Sequence, residues 1–188
     1  GQRAPRRRFT VLSHTRRLAA ATVATGIIAG LVGLACIHLL HWIQALAWNM
    51  HSGTLLQAVS AASPARRVAV LALAGTIGAL SWFFLFRRNQ TITSVGAAVG
   101  GTPMPPLRAV WHALTQIVIV GLGASVGREV APREMAAALC AAAADRLGLC
   151  AQDRRIIVAC GAGAGLAAVY SIPLSGAIYT LEILLVSR

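Results

Sequence analysis

One short charged segment, Gly127-Arg128-Glu129-Val130-Ala131-Pro132, interrupts two apolar stretches and carries the residue types best suited to chemistry. Pro132 suits the first turn of a helix, where its missing N–H costs no hydrogen bond. We therefore predict that a helix, Pro132–Leu147, begins just after an arginine–glutamate pair. Backbone N–H groups without intrahelical partners and the positive end of the helix dipole gather at such a start, and together they bind anions.

Glu129 has two interpretations from the residues alone. It could be a surface carboxylate that stabilises the start of a helix, a contribution of about 0.3–1 kcal/mol. It could instead lie at membrane depth, occupy an anion site and move when it is protonated. A charge at that depth costs at least about 2.5–3.5 kcal/mol, so a buried glutamate would be kept for a function. The residues alone favour neither interpretation.

Other polar residues indicate weaker sites. His38 and His41 lie three residues apart, but no carboxylate is near them in the sequence, which favours packing or interfacial histidines over a metal site. Ser171 and Ser175 lack the Gly-x-Ser-x-Gly context and a base, which argues against a hydrolase. We predict no enzyme activity, no cofactor and no metal site. The cysteines lack zinc-type spacing and are typical of small packing residues: Cys36, Cys140, Cys150 and Cys160.

The elements that must position these residues are apolar. Hydrophobic residues make up 57% of the 188 residues and charged residues 12%, against about 25% charged in soluble domains. All 17 basic residues are arginine, and the five acids lie at or after Glu129. The net charge of +12 could suggest nucleic acid, but the arginines form small clusters beside apolar runs, as on cytoplasmic flanks of membrane segments. The pattern favours a lipid bilayer as partner and no nucleic acid.

Apolar runs predict the membrane segments. Leu18–Trp48 and Val68–Phe86 are long enough to cross a bilayer, which needs about 20 residues. Ala109–Gly127 is a third apolar run, and Pro173 breaks a final one, Ile156–Val186. This arrangement predicts an all-α polytopic membrane protein that combines whole crossings with broken, re-entrant helices.

The segments between the runs predict connections. His51–Pro64 is typical of a loop or short interfacial turn, and Gln90–Pro106 is divided by glycine and proline. We predict a basic cytoplasmic segment at 1–17 and a transmembrane helical domain at 18–188. Glycines four residues apart predict close helix packing in lipid: Gly26 and Gly30, Gly96 and Gly100, Gly123 and Gly127, Gly161 and Gly165.

Two of these stretches resemble signature segments of the CLC chloride channel and transporter family. The first is Gly127-Arg128-Glu129, and the second, longer and more specific, runs from Gly161 to Gly176 as GAGAGLAAVYSIPLSG. Residues 100–105, GGTPMP, are a weaker match to the family's Gly-Ser-Gly-Ile-Pro loop. The resemblance covers the chain from about Gly26 onward and implies one half of an inverted-repeat CLC architecture, the amino-terminal half.

The resemblance also implies roles for individual residues. Glu129 would be the gating glutamate, whose carboxylate competes with chloride for an outer site. Thr102 would replace the serine whose hydroxyl helps to hold a central ion, and Glu182 matches an acidic position that could act as a relay. The anion-binding residues implied are Thr102, Gly127, Arg128, Val130 and Ala131.

Three departures from the family pattern qualify these expectations. Val130-Ala131 stands where the family has a single glycine before proline. Ile183 stands where proton-coupled members have an inner glutamate, which favours channel-like conduction over proton exchange. The second inverted half of the family architecture is missing from the sequence, so we expect that a whole pore needs it.

The expected function is therefore chloride transport through a CLC-type pore gated by a glutamate, with chloride or a similar anion as ligand. The family implies a homodimer, and the arginine-only, alanine-rich composition suggests a bacterial inner membrane. Two alternatives stay open from the sequence. One is a secondary transporter for another anion, and the other is a non-conducting truncated remnant or membrane interaction protein.

Overall fold

A computed structural model describes residues 5–50, 53–87 and 91–185, with side chains described from His14 onward. Within these ranges the chain forms helices joined by turns, which confirms the all-α prediction. Residues 1–4, 51–52, 88–90 and 186–188 lie outside the described residues, and with them parts of the predicted segments 1–17, His51–Pro64, Gln90–Pro106 and Ile156–Val186. The helices are α1 (Pro5–Trp48), α2 (Leu55–Ala61), α3 (Pro64–Phe86), α4 (Val95–Val99), α5 (Pro106–Gly121), α6 (Val130–Arg146), α7 (Ala151–Tyr170) and α8 (Pro173–Tyr179), which continues as a π-helical segment, Thr180–Leu185.

Two of the described helices are long and apolar enough to cross a membrane, judged by length and composition: the His14–Trp48 part of α1 and the whole of α3. They contain the predicted crossings Leu18–Trp48 and Val68–Phe86. Large apolar side chains remain exposed on both helices, with Leu31 61% and Val68 69% exposed. Exposed apolar surface of this kind suits lipid or another protein rather than water.

The other two apolar runs form shorter helices. Ala109–Gly127 yields α5, whose 16 residues are fewer than the roughly 20 that a full crossing needs. The chain leaves α5 through Gly123, which has a φ of +93° that favours glycine. Ile156–Val186 divides at the predicted break, because Ser171 adopts a left-handed conformation and Pro173 starts a new helix.

Both predicted connections contain a short helix that the sequence analysis did not foresee. The start of α2 is stabilised by a capping box between Thr54 and Gln57, and the Ser94 hydroxyl accepts a hydrogen bond from the Ala97 N–H at the start of α4. Helices of seven and five residues are too short to show helical periodicity. The predicted boundary at residue 17 lies within α1, which is continuous there, and the division into 1–17 and 18–188 remains a prediction.

The helix α6 lies at the centre of the bundle, packed against α1, α5 and α7. Its alanines Ala136, Ala137 and Ala138 are fully buried, and small side chains allow neighbouring helices to approach closely. A methyl group at Gly165 of α7 would lie 2.5 Å from the Pro132 carbonyl oxygen of α6. The predicted close packing therefore holds at this glycine.

Gly26 and Gly30 of α1 behave differently. A methyl group at either position would meet no heavy atom of the described chain within 4 Å. Both glycines instead line an apolar groove of about 590 Å³ between α1, α7 and α8. The predicted helix packing at this pair is therefore not made within the described residues.

Candidate functional site

Glu129 lies at the end of the connection from α5 and immediately precedes α6. Its backbone is already helical, with φ −73° and ψ −27°, and its side chain makes no capping hydrogen bond to the helix. The exposed side chain folds back over Gly127. Its carboxylate occupies the space that a methyl group at Gly127 would need. Glycine at this position therefore leaves the space in which the carboxylate rests, and the first N–H groups of α6 are not capped by it.

The helix after Glu129 begins two residues earlier than predicted, at Val130 rather than Pro132. Pro132 is the third residue of α6 and fits there because the first four N–H groups of a helix have no intrahelical acceptor. Ala131 and Pro132 are fully buried. The Val130-Ala131 insertion therefore lengthens the start of the helix instead of enlarging the loop.

The packing of α6 against α1 fixes the level of this helix start along α1. Ala131 shares a buried cluster with Val32 and Cys36, which lie in the middle of the α1 span. At the other end of α6, Ala144 shares a cluster with Ala21, near the beginning of the span. The amino end of α6 therefore lies level with the middle of a helix that is long enough to cross a membrane.

Two arginines beside the helix start are held by tyrosines. The guanidinium of the exposed Arg128 lies over the Tyr170 ring at 5.0 Å from its centroid. Arg133, in the first turn of α6, donates a hydrogen bond from Nη1 to the Tyr179 hydroxyl at 3.0 Å, and its Nε is buried without a described hydrogen-bond partner. The sequence analysis did not single out Arg133, which adds a second positive charge to the amino end of α6.

The other two proposed site residues, Thr102 and Glu182, lie on other elements. Thr102 is exposed, and its neighbours Gly101 and Pro103 line a cavity of about 310 Å³ with Asp145 and Arg154, near the carboxyl end of α6. Glu182 is exposed on the π-helical segment. The structure thus groups Gly127, Arg128, Val130 and Ala131 around Glu129, and the roles given to Thr102 and Glu182 remain predictions.

A buried contact between a histidine and a glutamate, which the sequence analysis missed, joins α5 to α6. His112 Nδ1 lies 2.7 Å from Glu134 Oε2, and the two side chains are only 13% and 9% exposed. Gln116 Nε2 lies 3.3 Å from His112 Nε2, while Gln116 Oε1 and Trp82 Nε1 are buried without described partners. The one available signal was Glu134 itself, an acid among the apolar residues of α6.

Comparison with known proteins identifies the family. A sequence model described as voltage gated chloride channel matches residues 75–188. The match includes α4 to α8, the Glu129 segment and the second signature stretch. The chain belongs to the voltage-gated chloride channel family. This result confirms the CLC resemblance, and family members are membrane channels and transporters rather than enzymes.

Curated members of this chloride channel family resemble most of the chain. Proteins called voltage-gated ClC-type chloride channel ClcB, from Escherichia coli O139:H28 and Shigella boydii serotype 18, are 31% identical over 174 residues. These residues make up 90% of this chain and 41% of each relative. The chain thus spans about two fifths of the length of these channels. No solved structure matches the chain.

Proposed function

We propose that this chain contributes the amino-terminal part of a CLC-type anion pathway, which conducts chloride through a bacterial inner membrane and is gated by Glu129. Homodimer formation and the need for a second inverted half are parts of the same proposal. Family membership supports both parts, and the 41% coverage of the ClcB relatives supports the need for a second half.

The observation that carries the proposal is the position of the start of α6. Ala131 packs in one cluster with Val32 and Cys36. The amino end of α6 therefore lies level with the middle of α1 rather than with either end of α1. Uncapped N–H groups and the helix dipole favour an anion there. Arg128 and Arg133 add positive charge on either side of Glu129, and tyrosines hold both guanidinium groups.

The geometry of Glu129 suits a gate. An ionised carboxylate at the amino end of α6 competes with chloride for the same N–H groups and the same dipole. Because the side chain makes no capping hydrogen bond and rests over Gly127, it can leave by rotation of its own torsions. Protonation removes its negative charge and therefore weakens its attraction to the N–H groups and the dipole of α6.

The test is chloride efflux from liposomes that contain the full-length protein with Glu129→Gln. We expect faster efflux than in the wild type and loss of its dependence on pH, because glutamine keeps the shape of glutamate but does not titrate. Asp145→Asn is the matched control, since Asp145 carries an exposed carboxylate at the opposite end of the same helix. Unchanged rate and pH response in Glu129→Gln would refute the gating role.

Two further measurements in the same liposomes separate the alternatives. Proton movement coupled to chloride would contradict the channel-like mechanism that Ile183 favours. Competition by other anions tests the selectivity, and a strong preference for an anion other than chloride would favour the secondary-transporter alternative. Absence of any anion flux from the full-length protein would favour a non-conducting role.

A further inference from the structure

A second cluster of chemically active side chains lies far from Glu129, where the start of the α1 span meets the start of α7. His14 Nε2 lies 2.7 Å from Asp153 Oδ2, and Cys150 Sγ lies 3.2 Å from the same oxygen. One ligand atom from each of the three residues lies within 4.8 Å of the other two. His14 and Asp153 are 139 positions apart in the sequence, so cysteine spacing could not reveal this cluster.

We propose that His14, Cys150 and Asp153 form a binding site for one zinc ion. Zinc takes imidazole, thiolate and carboxylate ligands at about 2.0–2.3 Å in a tetrahedron, which places ligand atoms roughly 3.3–3.6 Å apart. Two separations in the cluster are 2.7 and 3.2 Å and the third is at most 4.8 Å, so the side chains need to move by roughly 1 Å to reach the tetrahedral spacing. A water molecule would complete the tetrahedron, because the cluster offers three protein ligands.

Packing fixes the backbone segments that carry the three ligands. Ala21 of α1 and Ile157 of α7 share a buried cluster, and Ile157 lies one turn beyond Asp153. The turn that leads to Cys150 is closed by a hydrogen bond from the Leu149 N–H to the Ala144 carbonyl oxygen. The two elements that carry the ligands are therefore fixed relative to each other.

Proton balance follows from the hydrogen bonds. The Cys150 thiol donates to Asp153, and zinc would replace that proton, so the thiol loses a proton to solvent on binding. The imidazole of His14 must also be neutral to act as a ligand. Zinc affinity should consequently rise with pH, with at least one proton released per ion.

Charges around the cluster set its strength. The dipole at the amino end of α7 opposes a cation. Arg17 adds a positive charge beside the turn that leads to Cys150, because a methyl group at Gly148 in that turn would lie 3.6 Å from Arg17 Nη1. The negative charges that Cys150 and Asp153 would carry as zinc ligands offset the positive potential of the helix dipole and Arg17. The charge of Arg154 is balanced by Asp145, at 2.6 Å from Nε to Oδ1. We expect zinc to bind reversibly and to exchange with solution, because only three protein ligands hold it. This inference is independent of the proposed anion pathway.

The test is a cobalt titration of the full-length protein in detergent, with any affinity tag removed and the cysteines reduced. Co²⁺ should bind with one-to-one stoichiometry and produce the near-ultraviolet absorption band of sulfur-to-cobalt charge transfer. Added Zn²⁺ should displace the cobalt and abolish the band. Cys150→Ser should eliminate the band, and His14→Gln and Asp153→Asn should each weaken binding by at least about tenfold.

Matched controls change the same residue types elsewhere. Cys160→Ser on α7 and His41→Gln on α1 should leave the titration unchanged, and elution from a size-exclusion column shows that each variant is folded. No saturable binding of one ion, a band that survives Cys150→Ser, or equal loss in Cys160→Ser would each overturn the site. None of these results depends on chloride flux.

Discussion

Replacing Gly165 by alanine tests how closely α7 holds the start of α6. The added methyl group would lie 2.5 Å from the Pro132 carbonyl oxygen and 2.7 Å from the Ala136 Cβ atom. Ordinary contact begins at 3.4 Å, so the two helices would have to separate by about 0.9 Å. Neither obstacle is the end of a flexible side chain, so a change of rotamer cannot relieve the overlap.

Two opposing effects determine the expected change in the free energy of unfolding. Alanine is favoured over glycine inside a helix by about 0.5–1 kcal/mol. Overpacking a tight contact costs about 1–3 kcal/mol, and obstruction by backbone atoms places Gly165 at the upper end of that range. We therefore expect Gly165→Ala to destabilise the protein by about 2 kcal/mol. The melting temperature should fall, and chloride flux should fall with it if the start of α6 is displaced.

Gly75→Ala is the matched control. A methyl group at Gly75, in the middle of α3, would meet no heavy atom of the described chain within 4 Å, so this change should be neutral or stabilise by up to about 1 kcal/mol. Thermal unfolding in detergent, followed by size-exclusion chromatography, compares the two variants. Equal melting temperatures for Gly165→Ala and Gly75→Ala would refute the close contact between α6 and α7.

Three more substitutions test the contacts around α6. Glu134→Ala removes the partner of His112 Nδ1 from a largely buried contact and should cost about 1–3 kcal/mol in thermal unfolding; strictly additive effects of Glu134→Ala and His112→Ala in a double-mutant cycle would contradict the pair. Gly127→Ala should displace the Glu129 carboxylate and raise chloride efflux towards the rate of Glu129→Gln with little change in melting temperature, and unchanged efflux would argue against the resting position over Gly127. Tyr179→Phe removes the hydroxyl that accepts a hydrogen bond from Arg133 and should lower the free energy of unfolding by about 1.5–3 kcal/mol, whereas an unchanged melting temperature would show that this bond contributes nothing.

Long apolar runs and the positions of prolines predicted the main helices well. Uninterrupted apolar runs marked α1 and α3, because burial in lipid requires most residues of a helix to be apolar. Pro173 marked the break between α7 and α8, because proline lacks the N–H that continues a helix. The predicted start of α6 differed from the observed start by two residues, because proline is compatible with several positions in the first turn and does not identify one of them.

Contacts between distant residues could not be predicted in the same way. His112 and Glu134 lie 22 positions apart on separate helices, and their pairing depends on the rotation of α5 against α6. His14 and Asp153 meet only because α1 runs beside α7. A pattern along one helix reports which face is apolar, but it carries no information about which neighbour covers that face.

The glycines of α7 bear on how a gate at Glu129 could move. Gly161 and Gly165 face α6, whereas a methyl group at Gly163 would overlap the Thr180 hydroxyl and lie 2.6 Å from the Gly176 carbonyl oxygen of α8. Residues two apart lie on nearly opposite sides of a helix, so α7 makes close contacts with α6 on one side and with α8 on the other at these glycines. Sliding of the start of α6 against this contact would require backbone atoms to separate. The Glu129 side chain has only to rotate away from Gly127, which is why the proposed gate is better assigned to the side chain than to the helix.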